Sequence, residues 1–230
     1  NYLAKPRGVK VGQAIWQAKQ VCPELVTLPP DMSEYIRFSH MAREIYEDYT
    51  DQIEPFGLDE NWLDVTGSVG CKGSPMAIAR EISERIKFEL GITASIGVAD
   101  NKITAKLGSD YKKPDGTTVF SRENFKQRVW TLPANTLLYV GKRASDRLNR
   151  LGVRTIGELA AMDRDTAVRL FGTRGDTLWN YANGREADPL TKQRARDNSY
   201  GNSVTMPKDL EKPEQADATM LALCDSVGRR

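Results

Sequence analysis

The chain has 230 residues, 40% of them hydrophobic and 28% charged, and a net charge of +2. That composition excludes a disordered chain and gives enough apolar material for two or more small domains. No run of eighteen apolar residues and no charged-then-apolar leader is present, so nothing supports a membrane span or secretion and a cytoplasmic protein is expected. Basic residues at Lys5, Arg7 and Lys10 surround Pro6 and Gly8, and a helix is then predicted from Gln13 to Cys22, stopped by Pro23. A longer helix follows, with Ser33 as its expected cap and Tyr35, Phe38, Ala42, Ile45 and Tyr49 on one apolar face; the lone histidine, His40, falls in this pattern as an ordinary helix residue. Ile53 to Val65 is rich in strand formers and is predicted as one strand. Ser74 and Pro75 open a well-marked helix that presents Ile78, Ile82 and Ile86 and ends at Gly91. A short strand in "ITASIGVAD", a helix in "NKITAKLGSDYKK", a turn at Pro114, Asp115 and Gly116, and a strand in "TTVF" complete a β, α, β, α, β unit. This unit is expected to be one small sheet with two helices on a face, an α+β arrangement.

Past Phe120 the strand signals give way to a series of short helices punctuated by glycine, which predicts a compact all-helical domain. "DPLTKQRARDNS" is polar, basic and unpatterned and reads as a linker, and "YGNSVTMP" is expected to be a strand that begins a further domain. The chain opens at Asn1 without a methionine, and its last helical pattern has no stop signal, so a piece of a longer protein is expected. Cys22, Cys71 and Cys224 are far apart and lack paired zinc spacing, which predicts reduced thiols with neither a disulfide nor zinc.

Two features carry chemistry. From Asp31 to Leu90 there are six Lys or Arg against thirteen Asp or Glu, net −7, whereas Asn101 to Ala160 has twelve against five, net +7. Such a separation fits an acidic metal centre beside a surface that meets a polyanion, and scattered surface charge is the alternative. Within the acidic half, "IEPFGLDENWLDVTGS" sets Asp59 and Glu60 side by side among strand formers. Adjacent carboxylates repel and resist burial, so they require a metal or polar ligand, or else a solvated strand end. Regular strand alternation would point the two to opposite faces, so a shared metal needs a turn at this place. In the basic half, Tyr139 to Ala160 resembles the helix-hairpin-helix motif of non-sequence-specific DNA-binding domains. Val140 and Gly141 match its Gly-apolar-Gly hairpin, Tyr139 replaces the first glycine, and Lys142, Arg143, Arg147, Arg150 and Arg154 supply charge.

Taken in order, "NYLAK", "LDENWLDVT", "SIGVADNKITAKLGSDYKKPDG", the helical hairpin, the basic linker and "YGNSVTMP" resemble the Y-family of translesion DNA polymerases, in its bacterial UmuC and polymerase IV-like (ImpB/MucB/SamB) branch. The resemblance runs from Asn1 almost to Arg230. It implies a right-hand architecture: fingers over 1–30, palm over 31–121, helical thumb over 122–186, linker over 187–198 and the start of a little finger over 199–230. The implied activity is two-metal nucleotidyl transfer that inserts deoxynucleotides opposite damaged bases. An inactive fragment and a non-catalytic DNA-binding member of the family remain open, and a two-metal nucleotide cyclase leaves the helical hairpin unexplained.

The family motif Ser-Ile-Asp-Glu-Ala-Phe-Leu-Asp matches Gly57 to Asp64, so the resemblance makes Asp59 and Glu60 the catalytic ligands of two Mg2+ ions and gives Asp64 a supporting role. The remaining aspartate is implied on a strand upstream of Asn1. Tyr2, Lys5 and Lys113 are implied triphosphate contacts, Lys5 standing where arginine is common and so losing the bidentate fork. Val140, Gly141, Lys142 and Arg143 are implied DNA contacts of the thumb. Asn101, Lys102 and Lys106 are expected near the primer, and Ser203 and Thr205 at phosphates. The implied partners are primer-template DNA and deoxynucleoside triphosphates, with a sliding clamp left open through a segment beyond Arg230 and no membrane.

Overall fold

A computed structural model of the chain describes residues 1, 3–186, 190 and 199–229. A 3-10 turn at Lys5–Arg7 leads to helix α1, Ile15–Val21, which is shorter at its start than the predicted helix; Ala18 and the C-cap residue Cys22 are buried, and Arg7 is paired with Glu24. Helix α2, Met32–Glu47, is capped by Asp31, whose carboxylate accepts from Glu34 N at 3.2 Å. The expected cap, Ser33, instead lies inside the helix and donates its hydroxyl to Asp31 Oδ1 at 2.6 Å. Both side chains can cap, and the carboxylate at the first extended position takes the orphan N–H.

The predicted single strand over 53–65 is a hairpin. Strand β1, Ile53–Phe56, pairs antiparallel with β2, Glu60–Leu63, and the last register pair, Phe56 with Glu60, closes a three-residue loop. Gly57 makes the reversal with φ 87°, a left-handed conformation that glycine adopts without a Cβ clash. A 3-10 turn and the short helix α3, Val69–Lys72, follow. Helix α4, Pro75–Leu90, has the predicted Ser74 cap and a left-handed Gly91 at its end. It packs on α2, burying Ile78, Ile82 and Ile86 with Ile45 and Tyr49.

Strand β3, Ile96–Ala99, and strand β4, Thr117–Phe120, pair parallel, with helix α5, Lys102–Tyr111, as the crossover. Two glycines let α5 lie directly on β3. A Cβ on Gly97 would fall 1.8 Å from Ala105 O, and one on Gly108 would fall 3.0 Å from the Gly97 Cα. The strands therefore form two separate two-stranded sheets among the described residues, not the single sheet expected. Among the described residues no backbone ladder joins the β1–β2 hairpin to β3 and β4; residues of α5, and the cluster around Ile78 against which both Leu63 of β2 and Ile96 of β3 pack, make the connection.

The rest is helical, as predicted: α6 Arg122–Arg128, a 3-10 turn at Ala134–Thr136, α7 Lys142–Arg150, α8 Ile156–Ala161, α9 Arg164–Phe171 and α10 Thr173–Ala182. Its core of Val129, Leu148, Ile156, Leu159, Leu178 and Ala182 is continuous with Ile103, Leu107 and Phe120 of the α/β unit. Burial of these shared side chains fixes the helical unit against α5 and β4. Residues 199–206 form no strand, in contrast to the expectation; a strand needs a partner for its backbone groups, and none lies beside this segment among the described residues. Helix α11, Pro213–Gly228, closes the described chain. Among the described residues no helix is long and apolar enough to cross a membrane, and Cys22, Cys71 and Cys224 are free thiols.

Candidate active site

The hairpin turn resolves the placement of the acid pair. Asp59 is the last, exposed residue of the loop and Glu60 the first residue of β2, so the two carboxylates sit at a strand end and not along a regular strand. The turn is tied to α2, because Ser39 Oγ donates to Leu58 O. The phenol of Tyr46 is pushed up by burial, and the negative charge of Asp59 adds to the shift.

Glu60 has a cation against it. Lys106 Nζ lies 2.8 Å from Glu60 Oε1 and 2.9 Å from Asp110 Oδ2. Asp110 Oδ1 in turn lies 2.7 Å from Lys113 Nζ. The result is an alternating row, Glu60, Lys106, Asp110, Lys113. Desolvation lowers the Lys106 pKa, but its hydrogen bonds to Asp110 and Glu60 outweigh burial and leave it raised. For Asp110 desolvation likewise works upward, and the bonds from Lys106 and Lys113 leave it lowered.

One turn earlier on α5, Lys102 Nζ sits 3.3 Å from Glu54 and 3.9 Å from Glu186, and 5.5 Å from the centre of the Trp62 ring. Trp62 Nε1 donates to Lys102 O at 2.9 Å, and Lys102 N donates to the Glu186 carboxylate at 3.1 Å. Asn101 caps α5 by accepting from Thr104 N at 2.8 Å and reaches Gly184 O with its amide at 3.1 Å. The three residues expected near a primer thus have protein partners: they fix the hairpin and the end of α10 to α5. Asp64 accepts from Thr66 N at 2.9 Å and shapes the turn after β2.

The second predicted site lies at the start of α7. Tyr139 has φ 69°, the left-handed conformation that the glycine of a Gly-apolar-Gly hairpin would supply, and its exposed ring pairs with Tyr181 at 6.3 Å. Val140 is buried, Gly141 is the N-cap of α7 with no side-chain cap bond, and Lys142 and Arg143 are exposed. The two short helices expected within 139–160 are α7 and α8, joined through Gly152 with φ 79°, and the segment before Tyr139 is a 3-10 turn at Ala134–Thr136 that follows the Pro133 bridge to Thr155. Lys5 is exposed on the first 3-10 turn, and Ser203 and Thr205 are exposed in the irregular segment after the linker. Tyr2 lies outside the described residues, as does nearly all of the linker. Among the described residues no three His, Cys, Asp or Glu side chains converge to hold a metal.

Sequence reasoning missed Asp110, Glu54 and Glu186. Asp110 was readable as the i+4 partner of Lys106; the other two pair across 48 and 84 positions and leave no local signal.

The family model described as impB/mucB/samB matches residues 1–110, from the first helices through almost all of α5, the stretch that holds the acid pair. That stretch of the chain belongs to that family. Among its relatives, a DNA polymerase IV of Acetivibrio thermocellus is 48% identical over 232 residues, which cover 100% of this chain and 58% of the relative. Two solved structures resemble the whole chain. A Y-family DNA polymerase chimera superposes with a TM-score of 0.88 at 26% identity, and an insertion ternary complex of Dbh DNA polymerase with 0.77 at 25%; this chain covers 67% of each. The chain therefore has the α+β, right-hand architecture of those Y-family structures and spans 58% of the length of the polymerase IV relative.

Proposed function

We propose that this chain is the fingers, palm and thumb portion of a template-directed DNA polymerase that inserts deoxynucleotides opposite damaged bases, in the cytoplasm. Residues 1–30 serve as fingers, 31–121 as palm, 122–186 as thumb, 187–198 as linker, and 199–230 as the start of a little finger. One observation carries the reading. Asp59 and Glu60 stand together at a glycine-made hairpin turn, and the Glu60 carboxylate is held at 2.8 Å by a lysine of the adjoining helix. Similarity to DNA polymerase IV and to a polymerase ternary complex supports it.

The donor chemistry fits a hard divalent cation. Asp59 and Glu60 supply carboxylate oxygens of the kind Mg2+ takes, and Glu60 already faces positive charge. At least three carboxylates are needed, so the third comes from residues other than those described, in line with the upstream palm strand the family resemblance implies. When bound, a pair of Mg2+ ions would stabilise the attacking and leaving oxygens of an in-line phosphoryl displacement. The chain's own residues would do the rest. Lys106 orients Glu60 and balances its charge. Lys5, Lys113 and Tyr2 draw the deoxynucleoside triphosphate, each lysine as a point charge. Val140, Gly141, Lys142 and Arg143 meet a backbone phosphate of primer-template DNA through the uncapped start of α7 and its positive end. Lys102 and Asn101 contribute by holding the palm surface to the thumb. A sliding clamp would engage residues beyond Arg230.

A second reading, a DNA-binding family member without catalysis, is favoured by one observation: the Glu60 carboxylate is already engaged by Lys106 at 2.8 Å. Primer extension separates the two. In the intact protein Asp59→Ala is expected to lower Mg2+-dependent extension by more than about 100-fold, beyond the usual loss for an outer partner of a metal site. Extension at the wild-type rate in Asp59→Ala would defeat the polymerase reading.

A further inference from the structure

The row Glu60, Lys106, Asp110, Lys113 contains one residue, Asp110, that lies outside the acid-pair motif and outside the implied primer and triphosphate contacts. Asp110 divides its two carboxylate oxygens between two lysines, Oδ2 to Lys106 at 2.9 Å and Oδ1 to Lys113 at 2.7 Å. Its neighbours differ in access. The Lys106 side chain is 15% exposed and also held by Glu60, whereas Lys113 is 50% exposed, with Asp110 as its ion-pair partner. Lys106 and Asp110 are one turn apart on α5, a rigid frame, while Lys113 lies beyond the end of that helix. A polyanion arriving from solvent therefore meets Lys113 first. It can replace the Asp110 carboxylate there without disturbing the shielded Lys106 to Glu60 contact.

We propose that Asp110 is a positioning residue that holds Lys113 in reserve for a polyphosphate while keeping Lys106 on Glu60. This rests on the reading of Lys113 as the triphosphate lysine. The consequence has a sign. Asp110 competes with the incoming phosphate for Lys113, so its removal tightens polyphosphate binding instead of weakening it. A residue that only stabilised the fold would leave that affinity unchanged or lower it.

The test uses the intact protein and inorganic tripolyphosphate, without divalent cations and at low ionic strength, with affinities from calorimetry. Asp110→Asn, nearly isosteric, is expected to bind about two- to five-fold more tightly than the wild type, the fold-change that one exposed ion pair represents. The gain is expected to vanish in Asp110→Asn/Lys113→Ala. No gain in Asp110→Asn, or binding too weak to measure in every variant, would overturn the proposal. So would a gain that survives loss of Lys113, since that would report only the general loss of negative charge. The polymerase reading fails separately: extension that survives Asp59→Ala would defeat it and leave the calorimetric result standing.

Discussion

The two pairs of strands are held in place by different physics. Strands β3 and β4 share a backbone ladder, and α5 rests on them through Gly97 and Gly108 at a separation that admits no Cβ. The β1–β2 hairpin makes no ladder to them. It is fastened to the same helix by side chains: Glu54 to Lys102, Glu60 to Lys106, and Trp62 to a carbonyl at the start of α5. The close-packed pair is scaffold, and the hairpin, fixed by these polar groups and by Leu63 against the Ile78 cluster, carries the candidate chemistry. Damage to the first should therefore appear in stability, and damage to the second chiefly in function.

Gly97→Ala gives the largest expected effect on the scaffold. The added methyl would lie 1.8 Å from Ala105 O, so α5 must move off β3, at a cost of about 3 kcal/mol in urea unfolding. A loss below about 1 kcal/mol would erase the distinction drawn between the pairs. Lys106→Met, on the hairpin side, is expected to cost about 1.5 kcal/mol, because two half-exposed carboxylates each lose a charged hydrogen bond. A cost as large as that of Gly97→Ala would mean that the polar fastening is structural in the same sense as the ladder.

A smaller effect distinguishes the helical unit. Glu158 accepts from Arg154 N at 2.7 Å and Thr155 N at 2.8 Å, and these backbone bonds hold its carboxyl below the usual 4.5. Asp163 is lowered from 3.8 in the same way, by Thr166. A depressed folded-state pKa contributes stability that is present above the unfolded value and lost as pH falls through the folded one. Thermal unfolding followed from pH 5 downward should thus show a decline below about pH 4.5 that Glu158→Gln reduces. An unchanged decline would remove the caps as its source. Smallest is Tyr139→Gly, expected to raise stability by about 0.5–1 kcal/mol by relieving the left-handed backbone, less the entropy that glycine loses and the ring contact with Tyr181.

Much of this was legible beforehand, and particular residues show why the rest was not. Helix α4 could be read to its ends because Ser74, Pro75 and Gly91 are local signals, and Ile78, Ile82 and Ile86 share one period. The α5 helix and the β4 strand were equally plain. The hairpin was not, because β1 and β2 are half-buried throughout and show no alternation, and the single reversal depends on Gly57 taking a positive φ. Asp31 and Ser33 compete for one cap two residues apart, which pattern alone does not decide. The acid pair was legible as a motif. Its setting was not, since Lys106 reaches Glu60 across 46 positions and Glu186 reaches Lys102 across 84. Tyr139 did leave a sign, the one residue of its hairpin that departs from the glycine pattern, and its backbone takes the glycine conformation nonetheless.

On the proposed function, the hairpin carries the chemistry and its acid pair contributes little to the fold. Glu60→Ala in the intact protein tests it most directly when Mg2+-dependent primer extension and the urea unfolding midpoint are measured on the same preparation. The account predicts that extension falls by more than about 100-fold while stability changes by no more than about 1 kcal/mol. Extension at the wild-type rate, or a loss of activity matched by a collapse in stability, would contradict it.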